Sequence, residues 1–316
     1  MPDSKTLTVE EQHDLLQSGR GFVELVDQCF IGLTGDDRHA FLHNFCTADT
    51  KKLASSQTCE AMVLNTKGKI LGFVNAVATE DELLLTGNDD QAPKIIEHLD
   101  KYLIREDVEL KNRTGELAGI FVCLATGDAS DLLANVLGSL PEQNQCFVTE
   151  IGNIPARVCH LELAGFGIFI VVEKSNLGGL KTLLTNASFE ECSVSSLDII
   201  RVENKTPWFG VDADETNLPQ ELQRDEKAIS FVKGCYLGQE TVARIDAIGQ
   251  VNQLLVSVKF TADCNPTIGM EFKDGEKVIG RVTSVANSPQ HGPIGLAYVR
   301  RKFAATGTDL KTATVQ

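Results

Sequence analysis

Apolar runs that end in a small polar turn and lead into a helical period recur along this chain. Phe30, Ile31 and Leu33 pass through Thr34-Gly35-Asp36 into a helical stretch over 37–45. The same order appears at 83–88 into 92–103, at 120–125 through Thr126-Gly127-Asp128 into 129–137, and at 168–172 into 177–184. The helices carry apolar residues at helical spacing, as in Leu132, Leu133, Val136 and Leu137. Asp and Asn in the turns are expected to cap them, because their side chains accept from free backbone N–H groups. Strands without helices lie between these units, at 60–65 and 70–78. Helices then fall on one side of mixed or antiparallel sheets, which is an α+β layout. From Gln250 onward the pattern changes to short alternating strands: 254–260, a hairpin from 270 to 282 turning at Asp274-Gly275, and 295–299. That tail reads as a small all-β barrel or sandwich. The stretch 207–227 reads as a long surface connection, and Arg224-Asp225-Glu226-Lys227 as a solvated run.

Length and charge narrow the function. With 316 residues the chain is expected to fold as two or three packed domains. The net charge of −15 opposes binding to nucleic-acid backbones. The densest basic spot, Arg300-Arg301-Lys302, reads as a solvated strand end. No apolar run reaches the ~18 residues that would span a bilayer. The opening MPDSKTLTVEEQ has the character of neither a secretory signal nor a transit peptide. The nine cysteines are odd in number and no two are close. That is neither a disulfide framework nor a zinc spacing, and it suits a reducing cytoplasm.

The sharpest local feature is Lys233-Gly234-Cys235-Tyr236-Leu237-Gly238-Gln239-Glu240, continuing to Arg244. A cation near a cysteine favours thiolate, the nucleophilic and metal-binding form. The glycines permit unusual backbone conformations or close approach. Glu240 and Arg244 are four apart and can pair on a helix face. The residues alone leave Cys235 open between a reactive thiol and a packed turn cysteine. His39 and His43 share helical spacing but lack a third ligand, so they are read as packing residues and no metal is expected. A Thr-Gly-Asp turn can hold an anion at a helix start, but plain capping is the simpler reading.

K-G-C-[FY]-x-G-Q-E resembles the signature of the YgfZ family within the glycine cleavage T-protein superfamily. Supporting stretches are Leu33 to Asp37, Phe41 to Asp49, Leu64 to Ile70, Arg201-Val202-Glu203 with Pro207, Gly210 and Pro219, and Gly280 to Ser284. The resemblance implies the aminomethyltransferase-like fold: two α+β domains around a central channel, plus a C-terminal all-β barrel. Residues 1–249 would form the folate-binding region as two intertwined subdomains, and 250–316 the barrel. A tetrahydrofolate or derivative would lie in the channel. Glu203 would face the pterin, whose amino-pyrimidine edge donates to a carboxylate. Arg201 would steady Glu203 or the ligand, and Asp49 and Asn65 would line the same cavity. Cys235, with Lys233, would be the working thiol, and Gly234, Tyr236, Gly238, Gln239, Glu240 and Arg244 its supporting motif. The family is linked to maturation or repair of iron–sulfur enzymes and, through them, to tRNA modification. The partners would be iron–sulfur client or assembly proteins. The aminomethyltransferases carry an acidic pair where this chain has Gly72 and Phe73, neither of which handles a proton. Glycine-cleavage chemistry is therefore not expected, although a folate-dependent one-carbon transferase is the alternative. Ala48 for the usual Asn, and Asn204-Lys205 after Glu203, are further departures.

Overall fold

The computed structural model describes residues 7–88, 91–125, 127–249 and 251–316. Thr126 of the third turn, Gln250 at the expected domain boundary, and residues 1–6 lie outside it. The chain opens with α1 (Val9–Gln17), capped by a reciprocal Thr8–Glu11 pair. It continues as β1 (Gly21–Leu25), β2 (Gln28–Thr34), α2 (Arg38–His43), β3 (Thr58–Leu64), β4 (Ile70–Ala78), β5 (Leu83–Asn88), α3 (Ala92–Asp100) and β6 (Glu109–Asn112). Then follow β7 (Leu117–Cys123), α4 (Asp128–Leu137), β8 (Cys146–Ile151), β9 (Ile154–Glu162), β10 (Phe166–Glu173), α5 (Leu177–Asn186), β11 (Glu190–Glu191) and α6 (Val194–Glu203). After a connection come α7 (Asp225–Ala228) and α8 (Gln239–Ile248). The chain ends in β12 (Gln253–Phe260), β13 (Glu271–Asp274), β14 (Lys277–Ser288), β15 (Gly292–Arg300) and β16 (Ala313–Val315).

Two sheets share the first two-thirds of the chain. One runs β11-β1-β7-β10-β9-β8, the other β3-β4-β5-β2-β6. Their facing sides bury one core, with Val23, Phe121 and Phe169 from the first sheet against Phe30, Val77 and Leu84 from the second. Phe30 and Phe169 stack with centroids 6.3 Å apart. The outer face of one sheet is covered by α2 and α3 through Leu42, Ile95 and Leu99. α4 and α5 cover the other through Leu133, Leu137, Leu180 and Leu184. The middle of each sheet is thus buried on both faces, which is why β2, β4, β5, β7 and β10 are near-continuous apolar runs rather than alternating ones. The third sheet, β13-β14-β15-β12-β16, has its own core of Val258, Phe260, Phe272 and Val299. It docks on α6 through Ile199 and Val202 against Leu255, Leu296 and Tyr298.

The helices start where the sequence places them, but not for the reason it suggests. Asp37 and Asn176 make no side-chain cap bond. Asp37 instead accepts from the Asp107 backbone N–H at 2.9 Å and staples the approach to β6. The stretch 207–227 is not a surface connection either. Asp212, Gln220, Glu221 and Arg224 are all buried in it.

Candidate functional site

The loop before α8 carries the expected thiol. Cys235 is exposed, while Cys29, Cys46, Cys123, Cys146, Cys159 and Cys192 are buried. Lys233, two residues earlier, is buried, and its ammonium donates to the carbonyls of His43, Cys46 and Ala48 at 2.6, 2.8 and 2.7 Å. Its three donors are therefore spent on the turn after α2 rather than on Cys235. Burial holds its pKa below the ordinary lysine range, and it faces Cys46, Asp49 and Cys59. Lys233 is thus an anchor for the loop, not the cation beside the thiol that the spacing suggests. The Tyr236 ring packs 4.6 Å from the same ammonium. Downstream, the Leu237 N–H donates to Asn44 O at 2.8 Å. Gly238 has φ +80°, and a Cβ there would stand 2.6 Å from Asn65 O, so only glycine lets the loop close on the β3–β4 turn. Gln239 starts α8, and Glu240 and Arg244 are exposed on it without forming the expected ion pair.

Four other expected site residues are placed differently. Asn65 Oδ1 accepts from the Lys67 and Lys69 N–H groups and closes the β3–β4 turn. Asp49 lies 3.0 Å from His43 Nδ1. Glu203, at the end of α6, accepts from Ser288 Oγ at 2.5 Å and bonds His13 Nε2 at 2.9 Å, tying α1 to the C-terminal sheet. Arg201, on the same helix, does not reach Glu203. It bonds Asp198, the Thr206 carbonyl, Asp212 and Ser284, and its guanidinium lies 4.6 Å from the Trp208 ring. None of these four residues lines the cavity described next.

Between the two large sheets lie neighbouring cavities that share lining residues and together outline a passage. Its waist, about 30 Å³, is lined by Gln28, Phe73, Asn75, Asn88, Leu163 and Trp208, with Glu60 and Glu162 at one end. One mouth, about 300 Å³, shares Gln28, Asn88 and Trp208 with the waist. The other, about 310 Å³, shares Glu60, Asn75 and Glu162. Trp208 is the chain's single tryptophan, held by its Nε1–H to Leu163 O at 3.0 Å. Phe73 puts hydrocarbon on the wall where the resemblance would put an acid. At Gly72, its neighbour, a Cβ would stand 2.5 Å from Ile95 Cδ1 on α3, so a side chain there would have to displace that residue.

The acids of the passage are held by one buried arginine. Arg224 donates to both oxygens of Glu60 and, at 2.9 Å, to Glu162, which Lys227 also meets. Burial pushes the Glu60 carboxyl up, against the pull of Arg224. At Glu162 burial works the same way, but Arg224 and Lys227 outweigh it and hold the carboxyl below its ordinary range. Glu60, Glu162 and Arg224 are functional candidates that sequence reading misses. Arg224 sits in a charged run that looks solvated, and the two glutamates lie on separate strands, 102 positions apart (162 − 60).

Asp225, next to Arg224, is the opposite case. Burial, then Asp246 and Glu226, push its carboxyl from 3.8 to about 6, and one of its oxygens is buried without a hydrogen bond. Between those values the folded state holds the proton more tightly than the unfolded chain. Stability therefore falls as pH rises through that window. Asp225→Asn is expected to stabilise the protein at pH 7 by about 1 kcal/mol, after allowance for partial exposure. The gain should vanish below about pH 4. Urea unfolding at the two pH values checks this, and an equal gain at both would refute it.

Residues 3–226 match the family model described as the GCVT N-terminal domain. The structure superposes on glycine cleavage system aminomethyltransferase T from Bartonella henselae with a TM-score of 0.84. That likeness covers 100% of this chain and 87% of the other at 19% identity. A protein of Arabidopsis thaliana named as a chloroplastic transferase is 28% identical, covering 94% of this chain and 69% of its own. The "tRNA-modifying protein YgfZ" of Yersinia pestis is 26% identical over 80% of this chain and 76% of its own. An aminomethyltransferase of Bacillus mycoides is 25% identical over 96% of this chain and 85% of its own. The fold is therefore the T-protein fold, with a passage between its two sheets. The chain belongs to the GCVT N-terminal-domain family, in the superfamily that unites YgfZ and the T-proteins. No helix among the described residues is long and apolar enough to cross a membrane.

Proposed function

We propose that this protein binds a tetrahydrofolate or derivative in the passage and acts as a cytoplasmic accessory in iron–sulfur enzyme maturation or repair, supporting tRNA modification through its clients. The observation that carries the folate reading is the meeting of Glu60, Glu162 and Asn75 with the Phe166 ring around the mouth of about 310 Å³. A carboxylate accepts from the amino-pyrimidine edge of a pterin, and flat aromatic walls suit its ring. Phe73 and Gly72 offer no proton-handling group, which argues for holding the folate rather than transferring an aminomethyl carbon. The accessory role rests on the YgfZ-named relatives and on the exposed Cys235 in its anchored loop.

Calorimetric titration with tetrahydrofolate tests the site. Saturable binding is expected, weakened about tenfold by Glu162→Gln, a loss of roughly 1.4 kcal/mol. Glu203→Ala should lower the melting temperature and leave the affinity unchanged. No heat of binding, or loss of affinity only in Glu203→Ala, would overturn this placement. Turnover of an aminomethyl donor with tetrahydrofolate would instead favour the transferase reading. Cys235→Ser is expected to fold normally and to leave iron–sulfur enzyme activity unrestored in a strain lacking the protein. Full complementation by the serine variant would refute the thiol's role.

A further inference from the structure

Two cysteines face each other directly across the hairpin of β8 and β9. In the antiparallel register Cys146 stands opposite Cys159. The His160 N–H donates to Gln145 O at 2.9 Å, so the neighbouring pair is hydrogen-bonded and the cysteines fall at a non-hydrogen-bonded position. Cα atoms at such a position are about 4.5 Å apart, within the ~4.4–6.8 Å that a disulfide spans. Both side chains point inward between the two large sheets, and Cys146 Sγ lies 3.4 Å from the carbonyl of Ala78 at the end of β4. The two thiols hydrogen-bond each other. Cys146 is 3% exposed and Cys159 is fully enclosed. Arg157, two residues before Cys159 on the same strand and so on the same face, brings its charge to both thiols. Its Nη2 is spent on Glu82, and its Nη1 is buried without a hydrogen-bonding partner among the described residues.

We propose that Cys146 and Cys159 are a redox modification site, at which a small hydroperoxide closes a cross-strand disulfide. The site goes beyond the functional reading above and needs neither folate nor Cys235. Cys146 is the attacking sulfur. The Cys159 thiol donates to it and Arg157 draws its negative charge, and together they hold its pKa below the ordinary thiol range against burial. The Cys159 thiol is pushed up by the same hydrogen bond and then by burial, so it stays protonated until its turn. Burial pushes the thiols of Cys46, Cys59, Cys123 and Cys192 up as well. In the first step the Cys146 thiolate attacks one oxygen of hydrogen peroxide. The O–O bond breaks, a sulfenic acid forms, and the departing hydroxide takes the proton that Cys146 released. In the second step the Cys159 sulfur attacks the sulfenic sulfur. The S–S bond forms as the S–O bond breaks, and the hydroxide leaves with the Cys159 proton. Two thiols and one peroxide give one disulfide and two waters, so the sulfurs lose the two electrons that the oxygens gain. Access sets the oxidant. β8 is the edge strand of its sheet and Val148 on it is 63% exposed, so the pair lies behind one strand that can open locally. A peroxide passes there more readily than a tripeptide disulfide. Asn144, two residues before Cys146, and Leu161, two after Cys159, both line the mouth of about 310 Å³, so the bond staples two segments of that rim.

In the test the full chain is treated with hydrogen peroxide, remaining thiols are blocked with iodoacetamide in urea, and unreduced tryptic peptides are mapped by mass. Arg157 lies between the two cysteines, so trypsin separates them and the bond reads as a joined peptide pair. In the folded chain the 146–159 link should exceed every other cysteine pairing at least about tenfold, and the urea-unfolded chain should lose that excess. Cys159→Ala should halt at a sulfenic acid on Cys146, captured by dimedone, whereas Cys146→Ala should leave Cys159 unmodified. Arg157→Gln should slow the link about threefold at pH 7 and move its pH–rate curve upward. Oxidised glutathione should modify the exposed Cys235 and leave the pair unlinked. Once formed, the bond should slow hydrogen exchange of the β8 amides about tenfold, and dithiothreitol should restore the original rate. Absence of the 146–159 link from the folded chain, or its formation no more often than other pairings, overturns the proposal. Dimedone capture on Cys159 overturns the order of attack, and a link formed by oxidised glutathione as fast as its adduct at Cys235 overturns the assigned oxidant. Should the alanine variants not fold, the folded and unfolded natural chains still decide the pairing.

Discussion

Arg224→Met is expected to lower the stability of this protein by about 3–5 kcal/mol, the usual cost of removing one partner from a buried ion pair. That is comparable to the whole stability of many domains. The arginine is 6% exposed and serves Glu60 and Glu162 together. Without it two carboxylates face each other in a passage wall, and burial already disfavours the charge on Glu60. Two further outcomes separate this from a generic packing defect. The added change Glu60→Gln should recover a large part of the loss, because the pair is coupled and not additive. Lowering the pH should also shrink the difference, since protonated Glu60 no longer needs the cation. Urea unfolding of the single and double variants measures both. A loss below about 1 kcal/mol, the range of exposed pairs, would show that this triad is solvated.

Arg201→Met is expected to cost a similar amount, about 3–5 kcal/mol, by the same physics in a different place. The side chain is 2% exposed and holds Asp212 at 2.6 Å and Ser284 Oγ at 2.8 Å. Asp212 in turn accepts from Thr283 Oγ1 and Ser284 Oγ, both at 2.6 Å, and from the Trp208 N–H at 3.1 Å. One guanidinium thus joins α6, the segment bearing the passage tryptophan, and β14 of the C-terminal sheet. The variant should expose amides of β12, β14 and β15 to hydrogen exchange before those of β4 and β10, because only the C-terminal sheet loses a fastening. Uniform loss of protection in all three sheets would refute that account.

These two arginines mark how far the sequence can be read. Strand and helix order were legible because apolar periodicity reports burial directly. β4 matches its expected span of 70–78, while the residues alone leave open whether Cys235 is packed or, as the structure has it, exposed. Arg201 and Glu203 were legible as important but not in their roles, since two residues apart on a helix they point to different neighbours. Arg224 was illegible because a charged run looks solvated until Glu60 and Glu162 converge on it. The His43–Asp49 contact was hidden for a related reason. It depends on the turn that brings Asp49 back beside the end of α2, and no periodicity encodes that. Two positions along the chain do not set where the Lys233 ammonium goes: three carbonyls at and after the end of α2 draw it in.

The order in which strands join the two large sheets has a consequence for the nascent chain. β1 pairs with β7 in antiparallel register, Phe22 opposite Val122, and with β11 through Gly21 opposite Glu190. Both partners emerge from the ribosome only after all five strands of the other sheet have been made. At about 5–20 residues per second, the wait for β7 lasts roughly 5–20 s. Throughout that interval Phe22 and Val23, fully enclosed in the finished molecule, face solvent on an unpaired strand. Holding chaperones have their natural substrate there, and a translation pause before β7 would lengthen the exposure and raise the yield of aggregate.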